Sequence, residues 1–536
     1  MRGWVFWAAV ALFLAAAVFV NPFRQVLTTD DFAYARMVEG VRAGRGYHLH
    51  QWASASLPVQ TYAGALLTML LGDSFGVLRL YSLGMFVAGV VALRAWLTDR
   101  GAGVVGADLW ASTVLSCQLA FHLAFTFMTD VSFVAWMIIA SWLYSRAFTA
   151  KRVAWMALAS VAAAAAIGTR QFGVALIGGA ACVWWRAPDR GRRWVFYASG
   201  LLLPAMAMVW QLDQGLRAPT AAQAENIAET AARLLDLFRF LPSAAWRLVV
   251  AFQYLALFLW PVVPVLAGAA AERWSGADRS ERRTVGVVAM GWMGGMTLGA
   301  VASIWLREPM PSIGYFLNEM IDGGWWLSAA TAAGGALIGA MASVGVLSLM
   351  RAGGRESRDV FPVATAGVLL VCFLVYCQRT DEYLLALVPF VAVLLEPLAR
   401  GQWSRVRCAV VAACAVCSLL SAALWTRGAL DRHQAAWEAA EWARATGAPP
   451  SKIAAELPWA GYYGAFDEWV AIARRDRRRV VDGFAPFLEG RQRLATFGVA
   501  AADDARYQGW IREKVFPYGG ALGGRGTVVL YRRPGG

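Results

Sequence analysis

Lysine is nearly missing from this sequence: Lys151, Lys452 and Lys514 are the only three, so the positive charge is carried by arginine. Histidine occurs only at His48, His50, His122 and His433, and no Cys/His set has the spacing of a zinc site. The seven cysteines lie inside or beside apolar runs and none falls in the polar tail, which excludes a disulfide framework as the organiser of the fold. Charged residues make up only 16% against 59% hydrophobic, which excludes a soluble protein of several domains. There is no Walker motif, dinucleotide fingerprint or Gly-rich phosphate loop, so the energy for any reaction must arrive with the substrate. Nor is there an internal repeat of the kind that marks many secondary transporters. The formal charge of +14 does not point to nucleic acid, because the Arg clusters sit in short gaps between apolar runs, where membrane orientation accounts for them.

What is present is a succession of apolar windows long enough for a bilayer, roughly 4-20, 76-97, 104-123, 129-147, 153-168, 172-185, 194-212, 244-269, 285-306, 325-350, 360-378, 383-399 and 407-426. The expectation is an all-α polytopic membrane protein of about thirteen helices, with 153-168 and 172-185 short enough to form a re-entrant hairpin instead. The first window lacks a small-residue cleavage pattern at Val18-Phe19-Val20-Asn21-Pro22 and reads as a retained helix. Alternate gaps hold most of the arginine, for example Arg190, Arg192 and Arg193, and these gaps are assigned to the cytoplasm of an inner (plasma) membrane protein. That puts the amino terminus inside and the tail outside. It also gathers Asp30, Asp31, Asp130, Arg170, Gln171, Arg307, Glu308, Arg379, Asp381 and Glu382 on the outer face, and ionisable groups so close to lipid tend to mark a site.

The first outer loop, 21-75, carries the most informative stretch, Thr28-Thr29-Asp30-Asp31-Phe32-Ala33-Tyr34. Thr28 and Asp31 have capping-box spacing, which would start a short helix and occupy Asp31 with backbone donors, leaving Asp30 free. In the plainer alternative both acids simply complement the positive end of that helix. Beyond it, 32-41 fits an amphipathic helix on the membrane surface ended by Gly44-Arg45-Gly46, and Pro58 opens a second interfacial stretch to Leu71. The loop at 213-243 has the same character and reads equally as a lid, a lipid-facing helix or a connector.

From about Arg427 the composition changes, and 427-536 is expected to form a small extracytoplasmic α/β domain following a membrane domain over 1-426. Gln434 to Thr446 reads as a surface helix, and Lys452 to Ala455 and Gly526 to Arg532 read as strands. The basic run Arg474-Arg475-Asp476-Arg477-Arg478-Arg479 suits a solvated helix face, anionic headgroups or an anionic glycan.

Four signals, in order along 4-400, resemble the GT-C superfamily of lipid-linked-sugar glycosyltransferases, in the branch containing protein-mannosyltransferase-like, rhizobial lipopolysaccharide glycosyltransferase-like and aminoarabinose-transferase-like enzymes. They are the acid pair Asp30-Asp31 with Tyr34, the Leu-Arg-Leu-Tyr-Ser-Leu run at 78-83, the Thr129-Asp130-Val131 element, and Tyr383-Leu384-Leu385 leading to Pro389. The resemblance implies sugar transfer from a polyprenyl-phosphate donor to a glycan, lipid or protein acceptor, with the catalytic role falling on the acid pair and on Asp30 first, as general base. It places Arg170, Gln171 and Arg379 as holders of phosphate or sugar, Asp130 on sugar hydroxyls or behind Asp30, and Tyr34, Tyr383, His48 and His50 as lining residues. Some members of the superfamily hold a divalent metal, for which Asp30, Asp31 and Asp130 would supply oxygens. This chain departs from the pattern at Ser56-Leu57-Pro58, where several relatives carry a basic residue, and at Glu382 and Ala386, where Arg and Pro are expected. The competing class is a transporter or flippase of lipid-linked intermediates, in which Asp130 and Arg170 form a charge relay.

Overall fold

The computed structural model describes residues 3–276, 278–306, 324–351, 357–376, 381–476, 478–492, 495–502, 504–520 and 525–534. The expected contributions of Arg307, Glu308 and Arg379 lie outside the described residues.

Helix α1 (Trp4–Val20) ends where Asn21 turns to a φ of 64° and Pro22 follows. The segment that follows holds two short helices, α2 (Asp31–Arg42) and α3 (Pro58–Leu71), the second opened by proline in its first turn, where the missing N–H costs nothing. A serine cap starts α4 (Phe75–Asp99), the Ser74 hydroxyl accepting from the Gly76 N–H. Next come α5 (Val104–Leu115) and α6 (Gln118–Ala124), bent by 61° at their junction, so the single apolar window expected at 104-123 is two helices rather than one straight span. Helix α7 (Thr129–Ala150) packs on α4 where Gly89 meets Ala135; a Cβ on Gly89 would lie 2.8 Å from the Ala135 Cα, so only glycine permits this approach.

The chain continues through α8 (Val153–Ile167), α9 (Val174–Arg186), α10 (Trp194–Arg217), α11 (Ala221–Leu235), α12 (Leu237–Phe258), α13 (Val263–Gly276), α14 (Arg279–Leu306), α15 (Gly324–Arg351), α16 (Ser357–Val375) and α17 (Val388–Ala399). A full capping box between Thr220 and Gln223 starts α11. The window expected at 383-399 is α17 preceded by a tight 3-10 stretch over Asp381–Leu387, which carries Tyr383. Among the described residues seven helices are long and apolar enough to cross a membrane, the bent pair makes an eighth, and three more apolar helices are shorter. This is a multi-pass membrane protein. Ion pairs close its arginine-rich end: Arg94 with Asp108 at 2.7 Å, Arg146 with Asp99 at 2.6 Å and Arg100 with Asp359 at 2.8 Å.

Helix α18 (Arg405–Ala445) runs 41 residues without a break, so the boundary expected at 426/427 falls inside one helix. At 1.5 Å per residue it is about 60 Å long, roughly twice the hydrocarbon thickness of a bilayer. Its far half carries the C-terminal domain: α19 (Leu457–Tyr462), α20 (Ala465–Asp476), α21 (Val481–Gln492) and a sheet of β1 (Ile453–Ala454), β2 (Phe497–Ala501), β3 (Ile511–Gly519) and β4 (Arg525–Arg532). The strand order is β1-β2-β4-β3, with β1 parallel to β2 and the other pairs antiparallel. The sequence suggested β1 and β4; β2 and the mostly exposed β3 carry too weak an alternation to be read alone.

Candidate active site

The loop from α1 to α2 is held from below by Arg79 of α4. Its guanidinium is 1% exposed and donates to the carbonyls of Phe125 at 2.7 Å, Pro22 at 3.1 Å, Arg24 at 2.6 Å and also Val26. A charged donor with four carbonyl acceptors ties the backbone segments that supply them to one another. The sequence placed Arg79 only within a helix-entry run, since its partners lie 46 to 57 residues away.

The two acids are adjacent, and a kink just before them sets their directions. Thr29 adopts a φ of 50°, unusual for a β-branched residue, and its hydroxyl contacts the Met128 sulfur at 3.0 Å. Beyond this kink the two carboxylates meet different surroundings. Asp31 is 1% exposed: one oxygen accepts from the Phe127 N–H at 2.9 Å, and the other faces the Thr28 hydroxyl at 3.1 Å and the Thr28 N–H at 3.4 Å. Half of the expected capping box is therefore present, with Asp31 reaching back to the Thr28 N–H, while the Thr28 hydroxyl donates to the carboxylate instead of capping the helix. Burial pushes the Asp31 pKa up to about 7 against the opposing pull of Arg79 and these donors.

Asp30 occupies the cap position of α2 yet makes no cap hydrogen bond, and it is half-buried rather than sealed. Burial raises its pKa above the ordinary 3.8, a hydrogen bond from the Trp52 side chain lowers it, and Asp130 and Arg170 add opposing effects. Asp130, in the first turn of α7, forms an ion pair with Arg170 at 2.8 Å, their side chains 0% and 8% exposed. Arg170 sits in the turn after α8, donates from Nε to the Thr129 hydroxyl at 2.6 Å, and lies 4.6 Å from the centre of the Tyr383 ring. Burial opposes its charge, but Asp130, Tyr383, Tyr34 and Glu382 together raise its pKa. Tyr34 is 3% exposed and feels Asp30, Arg170 and Asp130.

The structure thus brings Asp30, Tyr34, Asp130, Arg170 and Tyr383 into one electrostatic cluster at the start of α7, the turn after α8 and the 3-10 stretch before α17. Gln171 stands beside it, its amide nitrogen 3.4 Å from the Ser54 carbonyl and its buried carbonyl oxygen without a partner. His48 is not brought there: it is exposed and bonds the Arg45 carbonyl at 2.7 Å, because the Gly44-Arg45-Gly46 turn carries it to the surface. His50 is buried instead between the rings of Phe32 and Phe466. Glu382, expected among the outer-face charges, acts on Arg170, whereas Trp52 was not singled out because tryptophan in such a loop is ordinarily an interfacial anchor.

For a divalent metal the acids do not fit. Asp31 has turned away to its own partners, and among the described residues no three His, Cys, Asp or Glu side chains converge. A cavity of about 620 Å³ between α1, α5 and α18 lies at the far end of α1 from the acids, lined by residues such as Trp4, Leu109 and Ala412.

Asp31→Asn is expected to destabilise the protein rather than disable its chemistry. An amide nitrogen would face the Thr28 N–H, and Arg79 would lose a neighbouring charge, at a cost of about 2–3 kcal/mol. Thermal unfolding in detergent should show the loss, with the turnover of the surviving folded fraction near that of wild type.

No protein-family model matches the sequence, and comparison with curated proteins finds no relative. Solved structures do match. ArnT from Cupriavidus metallidurans bound to undecaprenyl phosphate aligns with a TM-score of 0.53 over 98% of this chain and 98% of that one, at 14% identity. The same protein in the apo state aligns at 0.44 over 97% of each chain, with 17% identity. The archaeal oligosaccharyltransferase AglB from Archaeoglobus fulgidus, in complex with an inhibitory peptide and a dolichol-phosphate, aligns at 0.40 with 12% identity over 86% of this chain and 59% of its own. The first of these is close enough to define architecture, and the chain has the GT-C glycosyltransferase fold.

Proposed function

We propose that this chain, having the GT-C fold, is a membrane glycosyltransferase that moves a sugar from a polyprenyl-phosphate donor to a glycan, lipid or protein acceptor outside the cytoplasm. The observation that carries the reading is the division of labour in the acid pair: Asp31 is consumed by the fold, whereas Asp30 has no cap bond and remains accessible beside the buried Asp130–Arg170 pair. ArnT was solved bound to undecaprenyl phosphate, and likeness over the whole chain makes a lipid phosphate the donor class we infer.

Asp30 takes the proton of an acceptor hydroxyl as its oxygen attacks the anomeric carbon from the face opposite the phosphate. The bond between the anomeric carbon and the phosphate oxygen breaks, its electron pair leaving with the polyprenyl phosphate, so the anomeric configuration inverts. Arg170 offers the departing phosphate a cation whose Nε and one terminal nitrogen are already anchored, and Gln171 adds an amide group to orient phosphate or sugar. Asp130 keeps Arg170 charged and aimed. The lipid tail enters from the bilayer, and the amino terminus is cytoplasmic with the C-terminal domain on the acceptor side.

The test is release of polyprenyl phosphate and appearance of labelled product when the protein in nanodiscs is given polyprenyl-phosphate sugars and an envelope extract. Movement of intact lipid-linked sugar across proteoliposomes, with no polyprenyl phosphate released, would instead establish the transporter. Because the base must be ionised and burial raises the Asp30 pKa, kcat is expected to fall on the acid side through a midpoint above 3.8, the ordinary aspartate value. A pH–rate profile flat down to pH 4 contradicts this assignment.

A further inference from the structure

The C-terminal domain touches Phe32 and Trp52, which flank the acid pair. Phe32, two positions along α2, is fully buried, and α19 lies flat on its ring: a Cβ on Gly461 would stand 2.5 Å from the Phe32 Cε2. Trp52, whose indole favours the ionised form of Asp30, meets Phe466 of α20 edge to face at 4.9 Å and 87°, and Phe484 of α21 at a tilt at 5.7 Å. Phe466 and Phe484 are themselves 0% exposed and pack edge to face at 4.9 Å. A polar rim surrounds this aromatic centre. Arg36 pairs with Asp467 at 2.6 Å, Arg474 donates to Gln51 at 2.8 Å, Arg479 pairs with Glu229 of α11 at 3.1 Å, and the Tyr462 hydroxyl bonds Glu39. An apolar centre with a polar rim is the anatomy of a specific interface. The basic run 474–479 is thus partly committed to protein partners, as well as to Asp476 within the run.

We infer that the C-terminal domain completes the reaction site, with Phe466, Phe484 and Gly461 acting as positioning residues that hold the Trp52 indole on Asp30 and Phe32 beneath it. The inference rests on the reading of Asp30 as the base and extends it to residues more than 400 positions away. None of the three touches the reacting atoms. Their effect passes through the Trp52 indole, packed on Phe32 at 6.1 Å and favouring the ionised form of Asp30. The other groups facing Asp30, namely Asp130, Arg170 and Tyr34, come from the membrane domain and stay unchanged in the variants below.

The experiment compares wild type with Trp52→Phe, Phe466→Ala, Phe466→Tyr and, on the sheet side of the domain, Trp442→Ala. Two readouts are taken. The first is the pH dependence of kcat and the donor KM. The second needs no turnover: it is labelling of Asp30 by a water-soluble carbodiimide and an amine, which requires the protonated acid, mapped by mass spectrometry across pH. Trp52→Phe keeps the ring but removes the donor, so kcat should drop about tenfold or more, as expected for a hydrogen bond to a charged group. The acid limb and the Asp30 labelling should both move to higher pH. Phe466→Ala should reproduce both shifts with the donor KM within about twofold of wild type, Phe466→Tyr should restore them, and Trp442→Ala should match wild type.

A merely structural contact would lower the amount of folded protein without moving either pH profile, and that result overturns the inference. So does a Trp52→Phe protein with wild-type labelling, a variant too conservative to fail by misfolding. If no polyprenyl-phosphate sugar is ever transferred, the proposed function fails, while the labelling profiles still decide whether the domain sets the environment of Asp30.

Discussion

Asp30→Asn is expected to lower kcat by about 10²–10⁴-fold, the usual contribution of a positioned general base, with the protein still folded and the donor KM little changed. This corresponds to about 3–5 kcal/mol of transition-state stabilisation. The fold should tolerate the change because the carboxylate makes no cap bond to α2 and is only half-buried, and because the amide oxygen of Asn can still accept from Trp52. Surface-like substitutions of this kind ordinarily stay within about 0.5 kcal/mol of wild type. Initial rates of labelled-sugar transfer together with thermal unfolding make the comparison, and the acid limb of the pH profile should vanish in the variant. Transfer within tenfold of wild type would move the base elsewhere, with Asp130 the first alternative to examine.

Arg170→Gln is expected to damage stability and donor use together, and a double variant separates them. The Asp130 side chain is 0% exposed and has Arg170 at 2.8 Å, so removing the arginine strands a buried carboxylate at a cost of about 3–5 kcal/mol. The Tyr383 face also loses its cation. Removing both charges in Asp130→Asn/Arg170→Gln should recover most of the lost stability, because no buried charge is left alone. It should not recover the donor KM if the guanidinium holds the phosphate. Thermal unfolding and donor titration on the two proteins decide the matter, and a double variant restored in both would reduce Arg170 to a structural role.

The site was legible where its logic is local. The three-residue interval from Thr28 to Asp31 already implied that one acid would be occupied and its neighbour left over, and the hydrogen bonds of Asp31 have that form. Arg170 and Asp130 could be grouped because charge distribution assigned them to one face, and Tyr383 joined them through the family resemblance. What stayed hidden depends on contacts between distant segments. Arg79 looked like any arginine at a helix entry until its four carbonyl acceptors were seen around it. Trp52 and Phe466 are 414 positions apart, and nothing local to either announces a ring contact at 4.9 Å. The tail read as a separate unit because its composition changes near Arg427, whereas composition carries no record of α18 continuing unbroken through that point. His48 illustrates the opposite error: a side chain of suitable chemistry, near the acids in sequence, was carried away by a glycine turn.

The length of α18 has a consequence for how the protein is made. A chain synthesised from its amino terminus makes the loop bearing Asp30 long before the 41 residues of α18, and the helices that close over Trp52 come later still. On the arrangement inferred above, the growing polypeptide passes through a long interval in which the acid is exposed but not yet held. Translation itself then acts as the safety catch: an unfinished chain meets the carrier lipid without the means to use it, and capability arrives only when residue 484 has crossed and folded.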